Sequence, residues 1–247
     1  KSLMIKLLIN IGKKSKKAFS HSPNTNKKNK VLRDYFLLIK KNKNLILKEN
    51  LKDIKNANKK KLKENLIKRL YLNEEKILDI INSIKKIIRL KDPTNVVLEK
   101  WKRPNGLNIS RVSIPLGVIG VIYESRPNVT SDIASLCFKS GNPVILKGGS
   151  ESFYSNNILS KLFRKSLKKN KVDENFVQFI NIKNRAVVDI LLNKMTKFID
   201  VIIPRGGKNL VKKVQNLSSI PTIGHLEGVC HSYVDKDANP RFAKNII

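Results

Sequence analysis

The chain has 247 residues with 51 lysines and arginines against 19 aspartates and glutamates, a formal net charge of +32. A chain of this length buries a sizeable core as one large domain or two smaller ones. No run of about 18 apolar residues is present to span a bilayer, and two cysteines make neither a disulfide framework nor a metal-ligand spacing, so no membrane, no metal and a reducing, cytoplasmic setting are expected. The basic excess is nearly all lysine, aromatics are 6%, and no zinc-finger, RNA-recognition or helix-turn-helix pattern occurs. Specific nucleic-acid recognition is therefore not expected. A compositional bias toward Lys, Asn and Ile, such as AT-rich codons produce, accounts for the charge.

Residues 1–30 form a basic segment expected to be poorly ordered, with "KAFSHSPNTNKKNK" read as loop. Residues 31–100 are helical in pattern. "VLRDYFLLIKKNKNLILKENLKDIKNA" and "LIKRLYLNEEKILDIINSIKKIIRL" place apolar residues at about helical period, with Asn73 as an N-cap and Glu75 in the first turn, and "KDPTN" breaks the run. From Trp101 the pattern changes. "VSIPLGVIGVIYE" reads as a buried strand and "VTSDIASLCFKSG" as a helix stopped by Gly141. "PVILK" is a strand, and "GGSESFYSNNILSKLFRKSLKK" begins with glycines and continues as a helix. "NFVQFINI", "FIDVIIP" and "IPTIG" are strands, separated by the helices "NRAVVDILLNKM" and "RGGKNLVKKVQNL". "HSYVD" also reads as a strand, and "PRFAKNII" as a helix in progress. Strands that are continuous apolar runs, alternating with helices of about three turns, predict an α/β fold: a doubly wound parallel sheet covered on both faces, over 101–247, with a helical N-terminal region.

In such sheets ligands bind beyond the carboxyl ends of the strands. Three stretches fall there: Lys147, Gly148, Gly149, Ser150 and Glu151; Arg205, Gly206, Gly207 and Lys208; and Ser125, Arg126, Pro127 and Asn128. Glycines at strand-to-helix turns let an anion approach the backbone, and Lys147, Arg205 and Lys208 add positive charge. The alternative is that such turns need glycine for positive φ. Neither turn matches the dinucleotide fingerprint or the P-loop. By pattern alone, the chain reads as an enzyme acting on a nucleotide or a phosphorylated metabolite.

The stretches "RPNGLNISRVSIPLGVIGVIYESRPNVTSD", "SLCFKSGNPVILKGGSE", "IDVIIPRGGKNLV" and "GHLEGVCHSYVD" resemble the gamma-glutamyl phosphate reductase family (glutamate-5-semialdehyde dehydrogenase) of the aldehyde dehydrogenase superfamily, in register from about Leu32 onward. The resemblance implies NADPH-dependent reduction of L-glutamyl 5-phosphate to L-glutamate 5-semialdehyde with release of phosphate, in proline biosynthesis. In the family a cysteine thiolate expels phosphate, and hydride reduces the resulting thioester. The resemblance places Lys147 and Gly148–Glu151 on the cofactor's adenosine ribose, with lysine suited to the 2′-phosphate, and Arg205–Lys208 against its pyrophosphate. Ser125 and Arg126 fall at the substrate, and Asn128 where relatives carry an oxyanion donor. Arg126 and Asn128 are interchangeable at this stage. His225 stands where aldehyde-oxidising relatives carry a glutamate base. It is left as a phosphate ligand, a proton carrier or a hydrogen-bonded structural histidine.

The family's nucleophilic cysteine follows "GHLEGVCHSYVD" by a few tens of residues, outside these 247. The chain is therefore expected to lack most of the catalytic domain: as a piece of a longer chain it belongs to an enzyme that is homo-oligomeric at full length, and as a whole polypeptide it is expected to have no reductase activity. Cys230 and His231, as neighbours on a strand, would point to opposite faces, and Cys137 reads as core. Two rival readings remain: a related aldehyde or acyl-phosphate dehydrogenase, or a non-catalytic basic binding protein that kept the fold.

Overall fold

The computed structural model describes residues 2–124, 126–226, 228 and 230–246. Its centre is a four-stranded parallel sheet of β3 (Ile119–Tyr123), β4 (Val144–Gly148), β5 (Val177–Phe179) and β6 (Val201–Arg205), in the order β5-β4-β3-β6. The inner strands alternate between two cores, as a period of two requires. Ile119, Val121, Tyr123, Val144 and Leu146 face α6 (Pro127–Lys139) and α7 (Phe153–Lys169), and the same core continues outward to α2 (Thr25–Lys41) and α5 (Glu74–Arg89). Ile122, Ile145 and Ile202 face α1 (Ser2–Phe19), α8 (Ala186–Lys194) and α9 (Lys208–Leu217). The expected doubly wound sheet is thus present. The helices of residues 31–100 pack on α6 and α7, the helices that cover one face of it, and so form a further layer outside them.

Topology decides where a crevice opens. The chain runs β3-α6-β4-α7-β5 outward on one side, and then α8 carries it back to lay β6 on the other side of β3. The order reverses between β3 and β6, and crevices open at the carboxyl ends of strands at such a switch point. The strand ends are level there, since Tyr123 is paired with both Gly148 and Arg205.

The expectation of a poorly ordered segment over 1–30 is corrected. Ser2–Phe19 is a helix, and Thr25 already begins α2, whose N-cap Asn24 accepts from the amide of Lys27. The inward stripe of α1 is Leu8, Gly12, Ser15 and Ala18; Lys6, Lys13, Lys14 and Lys17 are exposed, and Lys16 is half-buried and paired with Asp200. Small residues make that stripe weakly hydrophobic but allow close approach. A Cβ on Gly12 would stand 2.5 Å from Cβ of Phe198, and Gln178 Nε2 donates to Ser15 Oγ at 2.7 Å.

The two long helical patterns are each divided. One breaks at Asn42, between α2 and α3 (Lys43–Lys59). The other breaks at 71–73, between α4 (Glu64–Leu70) and α5, where Asn73 caps α5 as expected. Gly141 ends α6 with φ +76°. The strand expected over 112–124 is shorter. Its first residue belongs instead to an unanticipated antiparallel hairpin, β1 (Val97–Lys102) with β2 (Asn108–Val112), which turns at Gly106 with φ +87°. "IPTIG" contributes a parallel bridge between Thr222 and Ile202. "HSYVD" is not a strand: residues 231–235 are irregular and exposed, so the opposite-faces argument for Cys230 and His231 falls. The last helix, α10, is Pro240–Ile246.

Helix α7 is capped from far along the chain. The carboxylate of Asp53 on α3 accepts from the amides of Tyr154 and Ser155 at 3.1 and 2.8 Å and from Ser155 Oγ at 2.7 Å. Burial pushes this carboxyl up despite those bonds. Asp53→Ala is expected to cost about 1–2 kcal/mol, the worth of a cap, read as a lower urea midpoint with unchanged slope.

Candidate active site at the sheet's carboxyl edge

Three adjoining cavities lie along the carboxyl edge of the sheet. The first, about 510 Å³, is lined by the Lys147–Glu151 turn, by Lys183 and Arg185 before and at the start of α8, and by Asn209, Leu210 and Lys213 of α9. The second, about 300 Å³, sits at the switch point between Glu124, Arg126 and Arg205–Gly207. The third, about 500 Å³, lies between α4, α5 and the start of α6, and includes Arg126 and Asn128. Leu66 and Glu124 are common to the first two, and Arg69 and Arg126 to the last two. Helix α4 borders all three. The two glycine turns and Arg126 with Asn128, expected from the sequence, are therefore brought to one trench.

Lys147 is the buried charge of the trench, 6% exposed, with Nζ donating to the carbonyl of Gly148 at 2.8 Å. Burial pushes its ammonium down. Glu151 opposes that shift and Arg185 adds to it. An ammonium has three donors, so one bond leaves capacity for a ligand oxygen.

Two of the site glycines, Gly148 and Gly206, are required by packing. Gly149 and Gly207 have φ −60° and −68°, so the positive-φ alternative does not hold for them. A Cβ on Gly148 would collide with Asn156, and one on Gly206 would lie 2.7 Å from Cδ of Glu124.

Glu124, which lines two of the three cavities, is a residue that sequence reasoning passed over. Its Oε2 accepts from the amide of Gly207 at 2.9 Å, so a carboxylate holds the first free N–H of α9. Lys183, Arg185, Lys213 and Arg69 were also missed. They sit in an irregular connection or on lysine-rich helices, where no local pattern distinguishes them from solvated surface. Lys183 Nζ stands 4.7 Å from the ring centres of both Phe153 and Tyr154.

Asn128 Nδ2 donates to Asp132 Oδ2 at 3.2 Å, and Ser83 Oγ donates to the other oxygen at 2.7 Å. His225 is exposed just beyond Gly224 and lines none of the three cavities. Ser125 lies outside the described residues. Cys137 is buried in α6 and burial pushes its thiol up to about 12, as befits core, whereas Cys230 is exposed. Among the described residues no group of His, Cys, Asp and Glu could hold a metal ion, and no helix is long and apolar enough to cross a membrane.

No family model matches the chain. A probable aldehyde dehydrogenase from Listeria monocytogenes superposes with a TM-score of 0.66 at 14% identity, over 90% of this chain and 46% of that one. The chain has the aldehyde-dehydrogenase-like α/β fold. Within that class it is homologous to gamma-glutamyl phosphate reductases. The enzyme of that name from Clostridium tetani is 43% identical over 244 residues, 98% of this chain and 57% of its own length. The crystal structure of the Thermotoga maritima enzyme superposes with a TM-score of 0.85 at 35% identity, over 87% of this chain and 52% of that chain. The chain thus spans about half the length of the relatives it matches.

Proposed function

We propose that this chain is the cofactor-binding part of a gamma-glutamyl phosphate reductase, which converts L-glutamyl 5-phosphate, NADPH and a proton into L-glutamate 5-semialdehyde, NADP and phosphate. One observation carries the reading: a buried lysine turn and an arginine–glycine turn flank the end of β3, on strands whose ends are level, and border adjoining cavities at the carboxyl edge of an aldehyde-dehydrogenase-like sheet.

The residues fit a phosphorylated dinucleotide. Lys147 is positioned to hold the adenosine ribose or its 2′-phosphate, with Arg185, Lys183 and Lys213 supplying positive potential around the same cavity. Arg205 borders the second cavity, where a pyrophosphate would share α9 with the Glu124 carboxylate. When bound, the reduced nicotinamide supplies the hydride. Arg126 and Asn128 are on the far side of Arg205, where they can orient an acyl phosphate and donate to a developing oxyanion.

NADPH is expected to raise the melting temperature of this chain and to quench or enhance its own fluorescence saturably, with NADH at least about tenfold weaker for lack of the 2′-phosphate. An unmoved melting temperature at saturating NADPH would sink the reading, and equal affinity for NADH would sink the choice of cofactor.

A further inference from the structure

We infer that Asp79 is the acceptor for a substrate ammonium group, and that Arg69 and Arg126 take the two anionic ends of the same molecule, in the cavity between α4, α5 and α6. The inference rests on the reductase reading and adds to it the residues that select an amino acid derivative over a plain dicarboxylate.

The wall of this cavity is one stripe of α5, Lys76, Asp79, Ile80 and Ser83, at the three-and-four spacing that puts side chains on one helix face. Opposite stand Pro127, Asn128 and Asp132 of α6, with Lys68 and Arg69 of α4 along the border. Three of the six charged side chains that line it are committed elsewhere. Lys76 Nζ donates to the carbonyls of Tyr71 and Lys68, at 2.7 and 3.2 Å. Lys68 pairs with Glu64, and Asp132 is engaged at both oxygens by Ser83 and Asn128.

Three charged side chains are left. Among the described residues, Asp79, Arg69 and Arg126 make no side-chain hydrogen bond or ion pair, although this is a chain of net charge +32 in which a carboxylate readily finds a cation. One carboxylate and two guanidiniums complement one ammonium and two anions. Glutamyl 5-phosphate carries that set: an α-ammonium, an α-carboxylate and a phosphate. Both arginines also border the switch-point cavity. The acyl phosphate therefore belongs at that junction and the α-carbon end deeper toward α5. A dicarboxylate lacking the ammonium would leave Asp79 repelling its charge.

L-Glutamate and glutarate share both carboxylates and differ in the ammonium, so they are the probes. Calorimetric titration of this chain is expected to show L-glutamate bound about tenfold more tightly than glutarate, the worth of one charge-assisted hydrogen bond. Asp79→Asn is expected to abolish that preference by weakening L-glutamate alone, and Arg69→Gln to weaken both ligands. A wild-type chain that does not discriminate, or an Asp79→Asn chain that still does, overturns the inference. NADPH titration of the same samples separates it from the reading beneath it. NADPH bound without glutamate discrimination sinks only the Asp79 assignment. Discrimination lost in Asp79→Asn without NADPH binding upholds the pocket and sinks the cofactor reading. Unchanged NADPH affinity in Asp79→Asn certifies that the variant is folded.

Discussion

Replacing Lys28 by methionine is expected to lower stability by about 3–5 kcal/mol, the cost of leaving a buried charge without its partner. Lys28 and Asp92 form a salt bridge at 3.0 Å with side chains only 2% and 7% exposed. The Asp92 carboxylate also accepts from the Thr94 amide and hydroxyl and from the Thr25 hydroxyl, at 3.0, 2.8 and 2.8 Å. This cluster fixes the start of α2 to the turn that follows α5. Lys139 is close enough for Lys28 to push its ammonium down and for Asp92 to draw it up, with burial the larger influence. Removing Lys28 relieves that repulsion, so the loss belongs at the lower end of the range. A loss of about 3 kcal/mol moves the melting temperature of a domain this size by roughly 6–12 °C. Adding Asp92→Asn to Lys28→Met is expected to recover part of the loss, since the amide keeps one acceptor oxygen and carries no charge, and a double-mutant cycle reads the coupling.

The pH dependence of the same cluster has a definite sign. Burial raises the Asp92 carboxyl, but the hydrogen bonds from Thr94, Lys28 and Thr25 outweigh it and hold it at about 2. A carboxyl lowered by folding stabilises above its unfolded value of about 4, and that contribution is lost as pH falls from about 4 toward 2. Lys28→Met removes one cause of the depression, so its acid-unfolding midpoint is expected at higher pH than that of the parent chain.

The layers of the fold were legible because burial on two faces forces continuous apolar strands, and "VIGVIY", "PVILK" and "VIIP" are such strands. The features that were not legible have physical reasons. Helix α1 docks through Gly12, Ser15 and Ala18, which satisfy close packing without raising hydrophobicity. The β1–β2 hairpin carries mostly exposed residues, so no apolar alternation marks it, although Asn105-Gly106 was an available turn signal. "HSYVD" has strand-forming residues but, among the described residues, no strand with which it pairs. At the site, the turns were legible as glycines following strands. Their partners were not. Glu124 caps a helix 83 residues away, and Lys28 was one lysine among many. Contacts of that range depend on the fold as a whole. The glycines were singled out as places where a ligand can approach the backbone, and neighbouring side chains, Asn156 at Gly148 and Glu124 at Gly206, add a packing reason that the sequence could not show.

Lys147→Met is expected to separate binding from stability, with opposite signs. The buried ammonium makes one hydrogen bond, to the Gly148 carbonyl, and burial disfavours its charge. An isosteric apolar side chain removes that desolvation cost, so the melting temperature is expected to hold or rise. Affinity for NADPH is expected to fall about 10- to 100-fold, the worth of a charge-assisted bond to a ligand oxygen. Linkage gives a second test of the same assignment. A lysine whose pKa is lowered by folding weakens the fold while it is charged, and that penalty is relieved as pH rises through its folded-state value. A phosphate beside it would draw the pKa back up, so binding would take up a proton. NADPH affinity of the parent chain is therefore expected to decline as pH rises through the alkaline range, and that decline is expected to be absent in Lys147→Met. Lys213→Met is the control. Lys213 lines the same cavity but is half-exposed and already paired with Asp189 at 3.1 Å, so its loss is expected to weaken NADPH only severalfold, within the range of exposed pairs. Fluorescence titrations of the three proteins across pH decide the matter. An unchanged NADPH affinity in Lys147→Met, or a pH slope that survives the substitution, would mean that the buried lysine is a structural accident of the turn and that the cofactor is held by the exposed cations around it.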